Sequence, residues 1–128
     1  MTARADELVA RARRRIHRVH PAQLSSVLAA GGLVVDIRTD AQRRDEGDLD
    51  GAVVVERNVL EWRMDPLGEH RLPQVRDHSQ WIVVVCSEGY ASSLAAASLS
   101  DLGFEHAADL EGGFHTWRAW SERKVVRL

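Results

Sequence analysis

The sequence is poor in cysteine: Cys86 is the only one among 128 residues, so no disulfide can form within the chain. The fold therefore needs no oxidising compartment. Long apolar runs are also missing, since no segment approaches the roughly 20 apolar residues that span a bilayer. Residues 1–19 lack the apolar stretch of a secretory signal. Together these absences predict a cytoplasmic protein that does not act at a membrane.

Strong charge of one sign is absent too, as are the common metal and nucleotide motifs. The formal net charge of -2 lacks the basic excess of a general nucleic-acid-binding domain. The arginine-rich residues 4–18 are interrupted by Asp6 and Glu7, which favours a solvated helix over an anion-binding surface. The histidines form no His-x₃-His pair, and no Cys-x₂-Cys, G-x-G-x-x-G or Walker motif occurs. We therefore expect no nucleic-acid partner, no metal ion and no cofactor.

What the chain does contain is an alternation of valine-rich apolar runs and helical patterns. Residues 33–37, 52–56 and 81–86 are near-continuous apolar runs, typical of strands buried on both faces of a parallel sheet. Residues 106–110 are a weaker strand candidate, and the alternating residues 16–19 suit a short edge strand. This order predicts an α/β fold with a mainly parallel sheet and helices on both faces. The length is that of one domain, residues 1–128.

Several helix ends are readable from the sequence. Thr39 and Gln42 have the spacing of a capping box, which predicts a short helix that ends by Gly47. Ser92 and Ser93 are candidate N-terminal caps for the helix that follows them. The last helix carries aromatic residues at helical spacing, which we interpret as core anchors: Phe114, Trp117 and Trp120.

Cys86 ends the third apolar run, in the stretch WIVVVCSEGYASS at residues 81–93. Gly89 permits a turn in which successive N–H groups face inward as an anion-binding nest, and the following helix adds positive potential at its N-terminus. Both features favour a thiolate. A free cysteine is also common in core packing, so the residues alone leave both interpretations open. Sites in parallel sheets form beyond the carboxyl ends of strands, where we also expect Asp36, Arg38, Glu56, Arg57 and residues 109–113.

Three motifs in order resemble the signatures of the single-domain rhodaneses, or rhodanese-like sulfurtransferases. VVDIRTDAQRRDEGDLDGAVVVE is similar to the family's upstream signature, in which a strand ends in Asp-x-Arg and Gly-Ala leads into the next strand. CSEGYAS followed by a helix resembles the active-site loop, and DLEGGFHTW resembles the closing Leu-x-Gly-Gly-x-x-x-Trp signature. The resemblance covers residues 16–120, and residues 1–15 look like an additional N-terminal helix outside the common core.

The resemblance implies a five-stranded rhodanese-like sheet and a sulfurtransferase that needs no cofactor. Cys86 would take sulfane sulfur from thiosulfate or a persulfide donor and pass it to cyanide or a thiol, and a partner protein is a further candidate. Asp36 and Arg38 would orient the loop or brace the sheet edge, with Glu46 as the partner of an arginine. The substrate-binding loop would consist of Ser87, Glu88, Gly89, Tyr90, Ala91 and Ser92.

Two loop residues depart from the family pattern. Ala91 stands where many members carry an arginine, and the negative charge of Glu88 would weaken binding of an anionic donor. Arg57, as a supporting residue, and Arg63 are candidates to offset that charge. One alternative is a non-catalytic rhodanese-like binding or redox-sensing module. Another is a cysteine phosphatase, but that chemistry needs Cys-x₅-Arg and Ser92 occupies the arginine position, so it is the least favoured.

Overall fold

The computed structural model describes residues 3–126. Five segments of it are strands: β1 (His17–Val19), β2 (Leu33–Asp36), β3 (Val53–Val54), β4 (Ile82–Val85) and β5 (Ala107–Leu110). They form one sheet in the order β1-β5-β4-β2-β3, and every neighbouring pair is parallel. The expected α/β fold is therefore confirmed, and all five strand candidates are present. Residues 52–56 contribute only two strand residues, because β3 lies at the sheet edge and pairs with β2 alone.

The α-helices are α1 (Arg4–Arg13), α2 (Leu24–Ala29), α3 (Asp40–Glu46), α4 (Leu60–Met64), α5 (Ala91–Asp101) and α6 (Gly113–Val126). Short 3-10 turns at Pro21–Gln23 and Arg57–Val59 lead into α2 and α4. Among the helices within residues 3–126, none is both long and apolar enough to cross a membrane.

The central strand β4 is buried on both faces, which explains its continuous apolar sequence. On one face, Ile82 and Val84 pack in the apolar cluster that holds residues of α4 and α5. On the other face, Val83 and Val85 pack in the cluster that holds residues of α2 and α6. Cys86 follows β4 and lies on the same face as Ile82 and Val84, the face that packs against α5. Its sulfur therefore lies between the end of the strand and that helix.

Of the two predicted helix caps, one is present in the structure and the other is not. The capping box is confirmed, since Thr39 Oγ1 accepts a hydrogen bond from Gln42 N–H and the Gln42 side chain accepts from Thr39 N–H. The prediction that Ser92 and Ser93 cap α5 was wrong, because the helix begins one residue earlier and Tyr90 occupies the cap position without a side-chain bond. Both serines lie inside the first turn.

The ends of the chain pack differently from each other. Helix α1 packs along α5, and Ala12 is buried in that contact. In α6, Phe114 is buried as expected of a core anchor. Trp117 and Trp120 are only partly buried, so the aromatic stripe covers the edge of the core rather than filling it.

Candidate active site

The sulfur of Cys86 accepts hydrogen bonds from two backbone amides that face it. Gly89 N–H donates to Sγ at 3.1 Å and Ser92 N–H donates at 3.3 Å. Gly89 lies in the turn and Ser92 lies in the first turn of α5, so both the turn and the helix N-terminus contribute. Donors turned toward a sulfur stabilise its anionic form. The geometry therefore suits a nucleophile better than an apolar filler.

The first turn of α6 holds the opposite side of the loop. Phe114 N–H donates to the carbonyl oxygen of Cys86 at 2.8 Å, and His115 N–H donates to that of Ser87 at 3.1 Å. These are amide groups that have no partner within a helix. The free amides at the start of α6 thus find their acceptors in the carbonyl oxygens of the nucleophile loop.

Two glycine positions make this close approach possible. Gly113 has φ +68°, and a Cβ there would lie 2.6 Å from the carbonyl oxygens of both Cys86 and Ser87. Gly89 has φ +87°, and a Cβ there would lie 2.9 Å from the amide nitrogen of Gly112. The glycines of the loop and of the closing motif are therefore required by one contact between two backbones.

Asp109 in β5 ties the loop helix to the edge strand. Its side chain is fully buried and accepts bonds at Oδ2 from Ser92 Oγ at 2.9 Å and from Ser93 Oγ at 2.7 Å. Arg18 of β1 donates from Nε to Oδ1 at 3.0 Å and from Nη2 to Oδ2 at 3.3 Å. The two serines thus anchor α5 to a buried carboxylate. Because their hydroxyl groups bond to Asp109, they do not cap the helix as the sequence predicted.

Two arginines of the N-terminal segment contact the loop itself. Arg13 Nη2 donates to the carbonyl oxygen of Gly89 at 2.8 Å, and Arg18 Nη2 donates to the same oxygen at 3.2 Å. The Arg13 guanidinium also lies 5.4 Å from the centre of the Tyr90 ring. The expectation of a solvated arginine cluster was wrong for these two residues, because α1 packs along α5 and ends beside the loop.

On the side of β2, Asp36 and Arg38 form a buried ion pair. Arg38 Nη2 donates to Asp36 Oδ2 at 2.8 Å and Nη1 donates to Glu46 Oε1 at 3.2 Å. Burial acts to lower the pKa of Arg38, but the bonds and charges of Asp36 and Glu46 raise it above its usual value. The guanidinium also stacks over Phe114, 3.9 Å from the ring centre. The expected pairing of Glu46 with an arginine is present.

Glu46 also reaches the residue that follows the nucleophile. Ser87 Oγ donates to Glu46 Oε1 at 2.8 Å, and His115 Nε2 lies 3.2 Å from Glu46 Oε2. Burial acts to raise the pKa of Glu46, but the bonds from Ser87, His115 and Arg38 outweigh burial and hold that pKa below its usual value. Glu46 is therefore an ionised acceptor that fixes the start of the loop.

The remaining predicted residues lie in two places. Glu88, Tyr90 and Ala91 are exposed on the outer surface of the loop. Arg57 forms an ion pair at 3.0 Å with Glu61, one turn later in the chain, and Arg63 donates to the carbonyl oxygen of His70 at 2.7 Å. The structure brings Cys86, its loop, Asp36 and Arg38 together, whereas Arg57 and Arg63 have partners away from the sulfur.

Sequence reasoning missed three of the residues that hold the loop: Arg13, Arg18 and His115. His115 had a usable signal, since it comes two residues after Gly112-Gly113, in the turn that the closing motif places against the loop. Arg13 and Arg18 had none, because their contacts with Gly89 join residues more than 70 positions apart. Only the packing of α1 and β1 beside α5 reveals them.

The chemistry available at this site is that of one sulfur nucleophile surrounded by hydrogen-bond donors. The loop itself carries no arginine, and the donors of Arg13 and Arg18 serve the Gly89 carbonyl oxygen on its outer side. Among the described residues, no group of three or more histidine, cysteine or carboxylate side chains could hold a metal ion.

Comparisons with known proteins show the family and the fold to which this chain is similar. The family model of the rhodanese-like domain matches residues 20–119. Thiosulfate sulfurtransferase GlpE of Stutzerimonas stutzeri is 32% identical over 104 residues, which cover 79% of this chain and 84% of that protein. A solved structure from Rhodopseudomonas palustris, described as a possible tyrosine phosphatase, has a TM-score of 0.82 at 27% identity and covers 94% of this chain and 93% of its own. A rhodanese homologue from Thermus thermophilus has a TM-score of 0.56 at 31% identity, covering 78% of this chain and 99% of its own.

Proposed function

This chain belongs to the rhodanese-like domain family, and on that premise we propose that it is a sulfurtransferase that carries sulfane sulfur as a persulfide on Cys86. In the first step the Cys86 thiolate attacks the outer sulfur of thiosulfate. A sulfur–sulfur bond to Cys86 forms, the one within thiosulfate breaks, and sulfite leaves with the electron pair. A persulfide donor would react in the same way, with a thiolate as the leaving group.

The second step returns the enzyme to its starting state. Cyanide or a thiolate acceptor attacks the terminal sulfur of the Cys86 persulfide, and the bond between the two sulfurs breaks. The electron pair of that bond returns to Cys86 as a thiolate, while the acceptor leaves as thiocyanate or as a new persulfide. The donor oxidises Cys86 to the persulfide in the first step, and the acceptor returns Cys86 to the thiolate in the second. The complete cycle leaves the protein unchanged, so no redox cofactor is required.

The observation that carries this proposal is the pair of amide bonds from Gly89 and Ser92 to the sulfur. A negative charge at this position is stabilised before reaction, and preorganised donors of this kind lower the barrier for steps in which charge develops. Cys86 is only 8% exposed, so a small donor has access that a bulky reagent lacks. The terminal sulfur of the persulfide would lie nearer to the surface, where a larger thiol or a partner protein can reach it.

The test is intact-protein mass spectrometry after incubation with thiosulfate. We expect a gain of one sulfur atom that cyanide or excess thiol removes, with thiocyanate or a small-molecule persulfide as the product. Cys86 is the only cysteine, so the added sulfur has one site, and Cys86→Ser should show no gain. Sulfur loading of Cys86→Ser would show that the wrong nucleophile was chosen.

A second candidate is the non-catalytic binding or redox-sensing module. The exposed carboxylate of Glu88 and the missing loop arginine at Ala91 favour it, because both weaken an anionic donor site. The same mass experiment separates the two functions. A protein that gains no sulfur from thiosulfate or from persulfide donors, yet gains oxygen atoms under mild peroxide, would be a redox sensor.

Phosphatase activity, suggested by the description of the Rhodopseudomonas palustris neighbour, has less support here. A phosphate clamp requires a guanidinium directed into the loop, and the loop provides Ala91 and Ser92 at the relevant positions. An aryl phosphate assayed beside thiosulfate should show no hydrolysis above the Cys86→Ser background. The cytoplasmic location stays a prediction from the single cysteine and the lack of long apolar runs and of a secretory-type stretch in residues 1–19, and the organisation as one domain stays a prediction from the length.

A further inference from the structure

We propose that Arg13, the last residue of α1, is a positioning and donor-selecting residue for sulfur transfer at Cys86, with Arg18 as its partner. This inference rests on the sulfurtransferase function proposed above. It makes the N-terminal helix part of the active site rather than an appendage. Both arginines lie ahead of residues 20–119, the segment that matches the family model, so the contact comes from this chain's N-terminal segment.

Gly89 lies between the sulfur of Cys86 and the two arginines. Its N–H donates to Cys86 Sγ, while its carbonyl oxygen accepts from Arg13 and Arg18. Glycine has no side chain to restrict its rotation, and the φ of +87° is one of many that it can adopt. Contacts on its carbonyl oxygen therefore decide which way this residue is turned, and the two guanidinium groups keep that oxygen away from the sulfur.

The hydrogen atoms can be assigned within this network. Ser93 Oγ lies 2.7 Å from Asp109 Oδ2 and 3.3 Å from the Gly89 carbonyl oxygen, so its single hydrogen goes to the carboxylate. Arg13 Nε then donates to Ser93 Oγ at 3.1 Å. The Gly89 oxygen is left with the two guanidinium donors, and Arg13 makes two directed bonds in a fixed plane.

The two arginines differ in how their positive charges are compensated. Arg18 is paired with the buried carboxylate of Asp109. Arg13 bonds to a hydroxyl and a carbonyl oxygen, and among the ion pairs of the described residues it has no carboxylate partner. Its positive charge is therefore surplus. The path from Cys86 Sγ through Gly89 to this guanidinium spans at most about 10 Å.

A surplus cation at this distance attracts an anionic donor and stabilises an anionic persulfide. It supplies from α1 the charge that the loop lacks at Ala91, and it opposes the negative charge of Glu88 in the same loop. Of the cations considered from the sequence, Arg57 is paired with Glu61, and Arg63 donates to the carbonyl oxygen of His70 instead of to the nucleophile loop. The structure thus points to Arg13 as the cation that selects an anionic sulfur donor.

The test compares Arg13→Gln, Arg13→Lys and the matched control Arg14→Gln, whose exposed side chain is the next one along the chain. Alkylation of the single cysteine is measured with neutral iodoacetamide and with anionic iodoacetate, each under pseudo-first-order conditions at neutral pH. The ratio of the two rates reports charge attraction and is insensitive to the fraction of thiolate. Steady-state kinetics with thiosulfate and thermal unfolding complete the set.

We expect Arg13→Gln to lower the iodoacetate-to-iodoacetamide rate ratio about two- to fivefold, as expected for one charge at this separation. Its KM for thiosulfate should rise by a similar factor. Arg13→Lys should restore most of the ratio but react more slowly than wild type with iodoacetamide, because an ammonium replaces the two-point contact with Gly89 and Ser93. Arg14→Gln should match wild type in every measurement.

A folded Arg13→Gln variant with the wild-type rate ratio would overturn the proposal. If Arg13→Gln does not fold, Arg13→Lys decides, since an iodoacetamide rate equal to wild type would show that the Gly89 contact has no influence on the sulfur. The alkylation arm does not require sulfurtransferase activity. A wild-type protein that loads no sulfur would therefore refute the proposed function while leaving this inference testable on its own.

Discussion

Gly113→Ala probes the contact between the start of α6 and the nucleophile loop. The added Cβ would lie 2.6 Å from the carbonyl oxygens of Cys86 and Ser87 and 2.7 Å from the amide nitrogen of Glu88. All three are backbone atoms of the loop, so no flexible side chain can move aside. The substitution must displace either the loop or the first turn of α6.

The size of the effect follows from the distances. Ordinary contacts begin near 3.4 Å, so the loop must move by about 0.8 Å, which is enough to break the amide bonds to Cys86 Sγ. Strain at a positive φ costs roughly 1–2 kcal/mol, and overpacking adds roughly 1–3 kcal/mol. We expect the free energy of unfolding to fall by about 2–5 kcal/mol. The rate of sulfur loading should fall about 100-fold, as is typical when reacting groups are misplaced by 1 Å.

Gly47→Ala is the matched control for strain without contact. Gly47 also has a positive φ, at +108°, but the nearest atom to an added Cβ is Phe114 Cζ at 3.7 Å, an ordinary distance. Gly47 has φ 108° and ψ 164°, a region populated essentially by glycine, so this variant should lose about 1–3 kcal/mol of stability and keep wild-type loading. Both replacements restrict the unfolded chain equally, so that contribution cancels in the comparison.

Urea unfolding measures the stability of both variants, and the rate of sulfur gain by intact mass measures the site. Alkylation by iodoacetamide adds a measurement that does not depend on sulfur transfer. If Gly113→Ala gained sulfur at the same rate as Gly47→Ala, the reasoning would be refuted. That result would show that the loop tolerates the displacement and that its amides are not needed.

Two further predictions concern the carboxylates at the loop. Glu88→Gln should lower the KM for thiosulfate and leave the rate of alkylation by neutral iodoacetamide unchanged. Equal KM values before and after substitution would place the Glu88 charge too far from the donor to matter. The pKa of Glu46 lies below its usual value near 4.5, so its bonds contribute stability above that pH, and the contribution is lost as pH falls through the lowered pKa. Glu46→Gln should therefore be less stable than wild type by about 1–3 kcal/mol at neutral pH. This difference in the free energy of unfolding, measured with urea, should narrow below about pH 4. A difference that does not change with pH would contradict the prediction.

Much of the fold was predictable because the information is local. The three valine-rich runs predict β2, β3 and β4, and the capping box at Thr39 was readable because both partners lie within four residues. The nucleophile was predictable for the same reason, since Cys86, Gly89 and the following helix are contiguous in sequence. The resemblance to rhodaneses came from three such contiguous motifs.

The side chains that hold the nucleophile loop in place were decided by tertiary structure. Strand order brings Asp109 of β5 beside α5, and that buried carboxylate changes Ser92 and Ser93 from apparent helix caps into anchors. The same holds for Arg13, which has the sequence environment of any solvated helical arginine. Its role arises because α1 packs along α5, and a contact between residues 76 positions apart leaves no periodicity or motif in the chain from which it could be inferred.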